Sequence, residues 1–212
     1  MQKSPAAHRQ TTRLELGGAK ALTQAMAILL QGGVQCRVMV PASLPELLTK
    51  GLAIPTRYVE QELQTLFLNG RPVDSMEHTV VCDGDVLALS AALPGLVGAT
   101  MRRDGQYAAL RDGIKACPAS GHPAAPAWGV VTVKLFNTTA RDLSATLLHR
   151  GILVSADRLS AFLAAQDNSF WKLVQRIVVD GEHLPAEPET IQTKLTGSQT
   201  IFLVLPENEE IV

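Results

Sequence analysis

Reactive side chains are few in this chain, and their spacing is the first thing to weigh. His78, Cys82, Asp83 and Asp85 fall close together. A thiol beside an imidazole is the pairing that nucleophilic catalysis uses. These residues lie on a turn and a short extended piece, however, and nothing nearby supplies an oxyanion hole. Cys82 therefore reads as a buried structural thiol. Asp83 and Asp85 read as turn formers around Gly84 rather than as catalytic acids, because glycine takes positive φ and flanking carboxylates bond turn amides. Cys36 falls on the inward side of a strand and reads the same way, whereas Cys117 sits in a small-residue stretch as a weak candidate for a reactive thiol. Arg102, Arg103 and Arg111, beside Tyr107, form the one local basic cluster. It suits either a solvated hairpin or contact with an anion or an acidic partner.

The histidines (His8, His78, His122, His149 and His183) form neither HxH nor HExxH, so no metal is expected. The glycine-containing GLVGAT lacks the lysine of a phosphate loop, and GxGxxG does not occur. No cofactor is expected. With a net charge of -1 and 4% aromatic residues, the chain carries no footprint for nucleic acid or an anionic membrane. Three widely spaced cysteines without CxxC suit a reducing cytoplasm. No apolar run is long enough to span a bilayer.

Several elements must position these residues. Met1 to Arg13 reads as a loosely held start. Ala19 to Gln31 predicts a helix stopped by Gly32-Gly33. Val34 to Val40 alternates Val34, Cys36, Val38 and Val40 with Gln35, Arg37 and Met39, which predicts a strand with one buried face. Short helices follow, capped by Ser43 and Thr56. LFLNG enters a turn at Asn69-Gly70. Thr79 to Cys82 is extended, and Val86 to Ser90 is a continuous apolar run expected at the centre of a sheet. Leu93 to Gly113 predicts a hairpin carrying the arginines. Lys115 to Trp128 lacks periodicity and predicts a linker between two modules, residues 14–114 and 129–212. In the second module, Val130 to Phe136 is a strand. Thr138 or Thr139 caps a helix to Arg150, and Ser155 caps the next. RIVVDG and TIFLVLP are strands, and Trp128 and Trp171 are expected to pack inward.

The halves share a repeat at an offset of 100 residues: LLTKGLAIPTRYVEQEL aligns with LLHRGILVSADRLSAFL without a gap. Leu47/Leu147, Leu48/Leu148, Gly51/Gly151 and Leu63/Leu163 coincide, which points to duplication of one small unit.

The stretch Thr65 to Gly98 resembles the C-terminal half of the ubiquitin-like β-grasp sulfur carriers of the ThiS/MoaD type. Asn69, Val73, Asp83, Gly84, Asp85 and Leu87 carry the resemblance, and Gly95 and Gly98 stand where a carrier's terminal glycines would be. It implies an α+β fold of two tandem β-grasp-like modules with an additional N-terminal helix. It also implies a protein partner, such as an adenylating or sulfur-transfer enzyme. Carrier chemistry needs a free glycine carboxylate, but here the chain continues through Ala99 and ends in Ile211-Val212. The expectation is therefore a non-catalytic, cytoplasmic interaction or adaptor protein. The alternatives are a carrier released by cleavage after Gly98, and an enzyme using an inter-module cleft with Arg102 and Arg103 as an anion clamp.

Overall fold

The computed structural model describes residues 11–91, 125–195 and 199–207. The chain begins with β1 (Thr11–Gly18), α1 (Lys20–Met26) and its 3-10 continuation (Ala27–Leu30), then β2 (Val34–Val40) and β3 (Ala42–Ser43). Next come α2 (Leu44–Glu46), a π turn (Leu47–Gly51), α3 (Thr56–Gln61), β4 (Thr65–Leu68), β5 (Arg71–Pro72), β6 (Val80–Val81) and β7 (Val86–Ser90). The second half holds β8 (Ala127–Phe136), α4 (Thr138–Arg150), β9 (Ile152–Ser155), α5 (Ala156–Ala164) and α6 (Asn168–Trp171). It ends with β10 (Val174–Val179), β11 (Glu182–Leu184), α7 (Pro188–Leu195) and β12 (Thr200–Val204).

The fold is mixed α/β. Among the described residues, ten strands form one mixed sheet in the order β11-β10-β1-β12-β9-β2-β8-β7-β4-β5, while β3 and β6 pair separately. Each half of that order has the same pattern of directions. In one, β10 is antiparallel to β1, β1 parallel to β12, and β12 antiparallel to β9. In the other, β4 is antiparallel to β7, β7 parallel to β8, and β8 antiparallel to β2. The halves meet where β2 runs antiparallel to β9, at Gln35 and Leu153.

Each half of the sheet takes one strand from the far part of the chain. β1 lies between β12 and β10, and β8 lies between β2 and β7. The N-terminal stretch read as loosely held is therefore ordered from Thr11, because Thr12, Leu14 and Leu16 bury one side of β1. Trp128, read as the end of a linker, lies within β8.

One core holds both halves together. Leu22 and Met26 of α1, Leu47 and Leu48, and Leu143, Leu147 and Leu148 of α4 pack with the inward strand residues Leu14, Cys36, Val38, Val131, Val133 and Ile201. All six leucines aligned by the repeat, Leu47 with Leu147, Leu48 with Leu148 and Leu63 with Leu163, are buried. Hydrogen bonds cross between halves as well. Arg158 caps the 3-10 segment by donating to the carbonyl oxygens of Leu29 and Gln31, each at 2.8 Å. The Ala91 amide donates to the Thr139 hydroxyl at 2.7 Å, and Tyr58 Oη donates to Asp142 at 3.1 Å.

Two predicted caps differ from the structure. α3 begins at Thr56 itself, with Pro55 as its cap, and α4 begins after Asn137 without a side-chain capping bond. Thr139 lies inside the helix, whose cap position is Asn137, and its hydroxyl accepts from the Ala91 amide. Ser155 does cap α5, accepting from the Arg158 amide.

Candidate recognition face

Strand alternation decides which side chains leave the core. In β2, Val34, Cys36, Val38 and Val40 are buried, so Gln35, Arg37 and Met39 point outward. The antiparallel register with β8 sets Gln35 opposite Thr132, Arg37 opposite Val130 and Met39 opposite Trp128. Side chains directly opposite one another share a face. Trp128 and Met39 are therefore neighbours on the outer surface, and they are 63% and 42% exposed. The Arg37 guanidinium lies over the Trp128 ring, 4.8 Å from its centroid. Such cation–π contacts hold a ring and a cation in fixed relation while leaving the other ring face and the guanidinium edge open.

These residues border a hollow of about 580 Å³, whose walls include Arg37, Met39, Pro41, Lys50, Trp128 and Phe202. Lys50 pairs with Glu46 at 2.9 Å across one helical turn, and both side chains are exposed. Among the described residues, no carboxylate forms an ion pair with Arg37. Arg150 also reaches the hollow, but its guanidinium donates to the backbone carbonyls of Gly51 and Arg37. Burial lowers the Arg150 pKa, and it acts as a strut that fixes β2 to the π turn. Directly beneath, Cys36 is fully buried, and burial pushes its thiol up to about 11. The hollow thus offers a cation held over an aromatic plate beside a flexible thioether, a set suited to binding.

β8, which carries Trp128, is held by the Asp83-Gly84-Asp85 turn. Asp83 accepts from the Val130 amide at 2.7 Å, and the Gly84 amide donates to the Val130 carbonyl at 2.8 Å. Asp85 accepts from the Cys82 amide at 2.7 Å and from Asn69 Nδ2 at 2.8 Å, while Asn69 Oδ1 accepts from the Val86 amide at 2.9 Å. Gly84 has φ of 83°. Both carboxylates are structural acceptors, as their turn setting predicted; Asp83 ties the turn to β8, and Asp85 ties it to the Asn69 turn.

Other sequence candidates separate. Cys82 is exposed rather than buried, because β6 is only two residues long and the chain turns at once. His78 bonds the Ser75 hydroxyl through Nδ1 at 2.7 Å. His149 Nδ1 donates to the Leu205 carbonyl at 2.6 Å. Trp171 packs against the core beside Phe170, as expected, whereas Trp128 does not. Arg102, Arg103, Tyr107, Arg111, Gly95, Gly98, Cys117, His8 and His122 lie outside the described residues. Among the described residues, no three His, Cys, Asp or Glu side chains gather as a metal site, and no helix is long and apolar enough to cross a membrane.

Arg37, Met39 and Trp128 were not singled out by sequence reasoning as a site. The signal was present in the parity of two strands. Extending the Val130–Phe136 alternation two residues backward puts Trp128 on the outer side with Val130, and the inward valines of β2 leave Arg37 and Met39 outside. Comparison of the chain with protein-family models, curated proteins and solved structures gives no match.

Proposed function

We propose that this chain is a non-catalytic binding protein of two ubiquitin-like, β-grasp-like halves, and that the outer face of β2 and β8 docks an acidic segment of a partner protein. One observation carries the reading: Arg37 is held over an exposed Trp128, beside an exposed Met39, with no carboxylate of its own among the described residues. Exposed tryptophan, arginine and methionine are the residue types enriched where proteins meet. The repeated strand directions in the two halves of the sheet support the β-grasp-like reading. The resemblance of Thr65 to Gly98 to sulfur carriers makes an adenylating enzyme the first partner to try.

The test is selection of binders from a random peptide display library against the intact chain, with Trp128→Ala and Arg37→Glu chains as counter-targets. Acidic peptides that bind the unaltered chain and lose at least about tenfold in affinity on both variants support the proposal. Selected peptides that carry no acidic bias, or that bind both variants unchanged, refute it.

A further inference from the structure

β2 is paired along its whole length on one side only. Towards β8, each of its residues from Val34 to Val40 has a partner. Towards β9, Gln35 alone is paired, with Leu153. Continuing that antiparallel register would set Gly151 opposite Arg37 and His149 opposite Met39, but α4 does not end until Arg150. Among the described residues, no strand therefore lies beside Arg37 to Val40 on this side.

The direction of the backbone groups there follows from the ladder. Opposite residues of an antiparallel pair alternate between exchanging their backbone hydrogen bonds and turning them away from each other. Arg37 and Val130 turn theirs away. The Val130 amide donates to Asp83 and its carbonyl accepts from the Gly84 amide, while the Arg37 carbonyl accepts from Arg150. Met39 and Trp128 stand two residues further along the same register and alternate the same way. The Met39 amide and carbonyl thus point to the side that β9 has left. The hollow of about 580 Å³ lies along this edge, with Met39, Pro41, Lys50 and Gly51 among its walls. No turn or loop backbone bonds to Met39 among the described residues.

We infer that the partner's acidic segment binds as an added strand on this edge, antiparallel to β2, with one of its residues exchanging both backbone bonds with Met39. The inference rests on the docking face proposed above and specifies how that face is used. In strand addition, main-chain bonds supply affinity and alternate side chains supply specificity. The direction is that of β9, whose line the added strand continues. The residue opposite Met39 shares its outer face beside Trp128 and is apolar. The residue two positions C-terminal to it falls opposite Arg37 and is the acid. The charged groups on the hollow agree with this placement: they are Arg37, Lys50, Arg150 and Glu46. Glu46 pairs with Lys50, and Arg150 donates to backbone carbonyls, so Arg37 is the cation that meets the acid.

The experiment is amide hydrogen exchange and titration, followed by NMR, of the intact chain with the peptide acetyl-Ser-Leu-Thr-Glu-Ser-amide. In the free chain the Met39 amide should exchange at least about tenfold faster than the Val38 amide, which faces β8. Bound peptide should slow exchange at Met39 and leave Val38 unchanged. Methylating the leucine nitrogen removes the donor to the Met39 carbonyl and should weaken binding at least about tenfold. Methylating the threonine nitrogen, which faces away from β2, should be tolerated. A Met39 amide as protected as Val38 in the free chain, equal losses from the two methylations, or no binding of this peptide would overturn the added strand. If other acidic peptides from the display selection still bind in a manner that needs Arg37 and Trp128, the docking face stands without it; if none does, both fall.

Discussion

Arg37 and Cys36 are adjacent in sequence and opposite in environment, because a strand sends successive side chains to opposite faces. Arg37 is held over an exposed ring, and Cys36 lies at the centre of the core. The thiol's pKa, raised by burial from 9.0 to about 11, has a signed consequence. The folded chain holds this proton at pH values where the unfolded chain has released it. The stabilisation is therefore complete below the unfolded pKa and is lost as pH rises through the window from 9 to about 11. Denaturant melts of the unaltered chain should lose more stability across that window than melts of Cys36→Ala, and equal slopes would remove the effect. Alkylation read by site-resolved mass spectrometry should modify Cys82 rapidly and Cys36 only on unfolding, because thiolate character and access together control reactivity. The inward place of Cys36 was legible from the valines around it. The exposure of Cys82 was not, because a two-residue strand has too little length for periodicity to set a face.

At the scale of elements, the two positive-φ turns, Asn69-Gly70 and Asp83-Gly84-Asp85, were readable directly, since their residue types carry the conformation. Their joint effect was not. The Asp83 carboxylate and the Gly84 amide reach Val130, a residue far along the chain, and so hold a strand that sequence reading assigned to another module. Gly129 is the tight point of that junction. A Cβ there would stand 2.5 Å from Val40 Cγ2 and 2.7 Å from Asp83 Oδ1. Gly129→Ala should therefore destabilise the chain by about 1–3 kcal/mol, the usual cost of overpacking, measured by urea melts; an unchanged midpoint would contradict this packing. β1 escaped prediction for a related reason. TTRLELGG is polar and ends in two glycines, and the partners that make it a strand, β10 and β12, lie at the other end of the chain. Only the alternation of Thr12, Leu14 and Leu16 announced it.

At the scale of the molecule, the two halves of the sequence repeat are joined in one sheet and exchange strands. β8 contributes seven paired positions with β2 and five with β7. Separation at residue 124 would strip the first half of its sheet's interior strand and leave β2 and β7 with open edges, which favour aggregation. The second half would lose β1. A fragment of residues 1–124 should accordingly lack a cooperative thermal transition, and mixing it with residues 125–212 should restore one. A fragment that melts cooperatively alone would show that the interleaving is not needed for folding. The aligned leucines suggested two copies of one unit, but the placement of β1 and β8 in the sheet was not readable, because an offset between similar stretches carries no information about which part of the sheet a strand joins.

Exchange is also what creates the proposed docking face, since Arg37 comes from one half of the sequence and Trp128 from the other. The most direct measurement is a charge-reversal cycle across Arg37. The intact chain and its Arg37→Glu variant are titrated with an acidic peptide that binds the face, and with the same peptide after its acidic residues are changed one at a time to lysine. The account predicts that Arg37→Glu weakens the original peptide at least about tenfold, and that one lysine-bearing peptide recovers affinity selectively for Arg37→Glu. Equal affinity of both chains for every peptide would contradict the account.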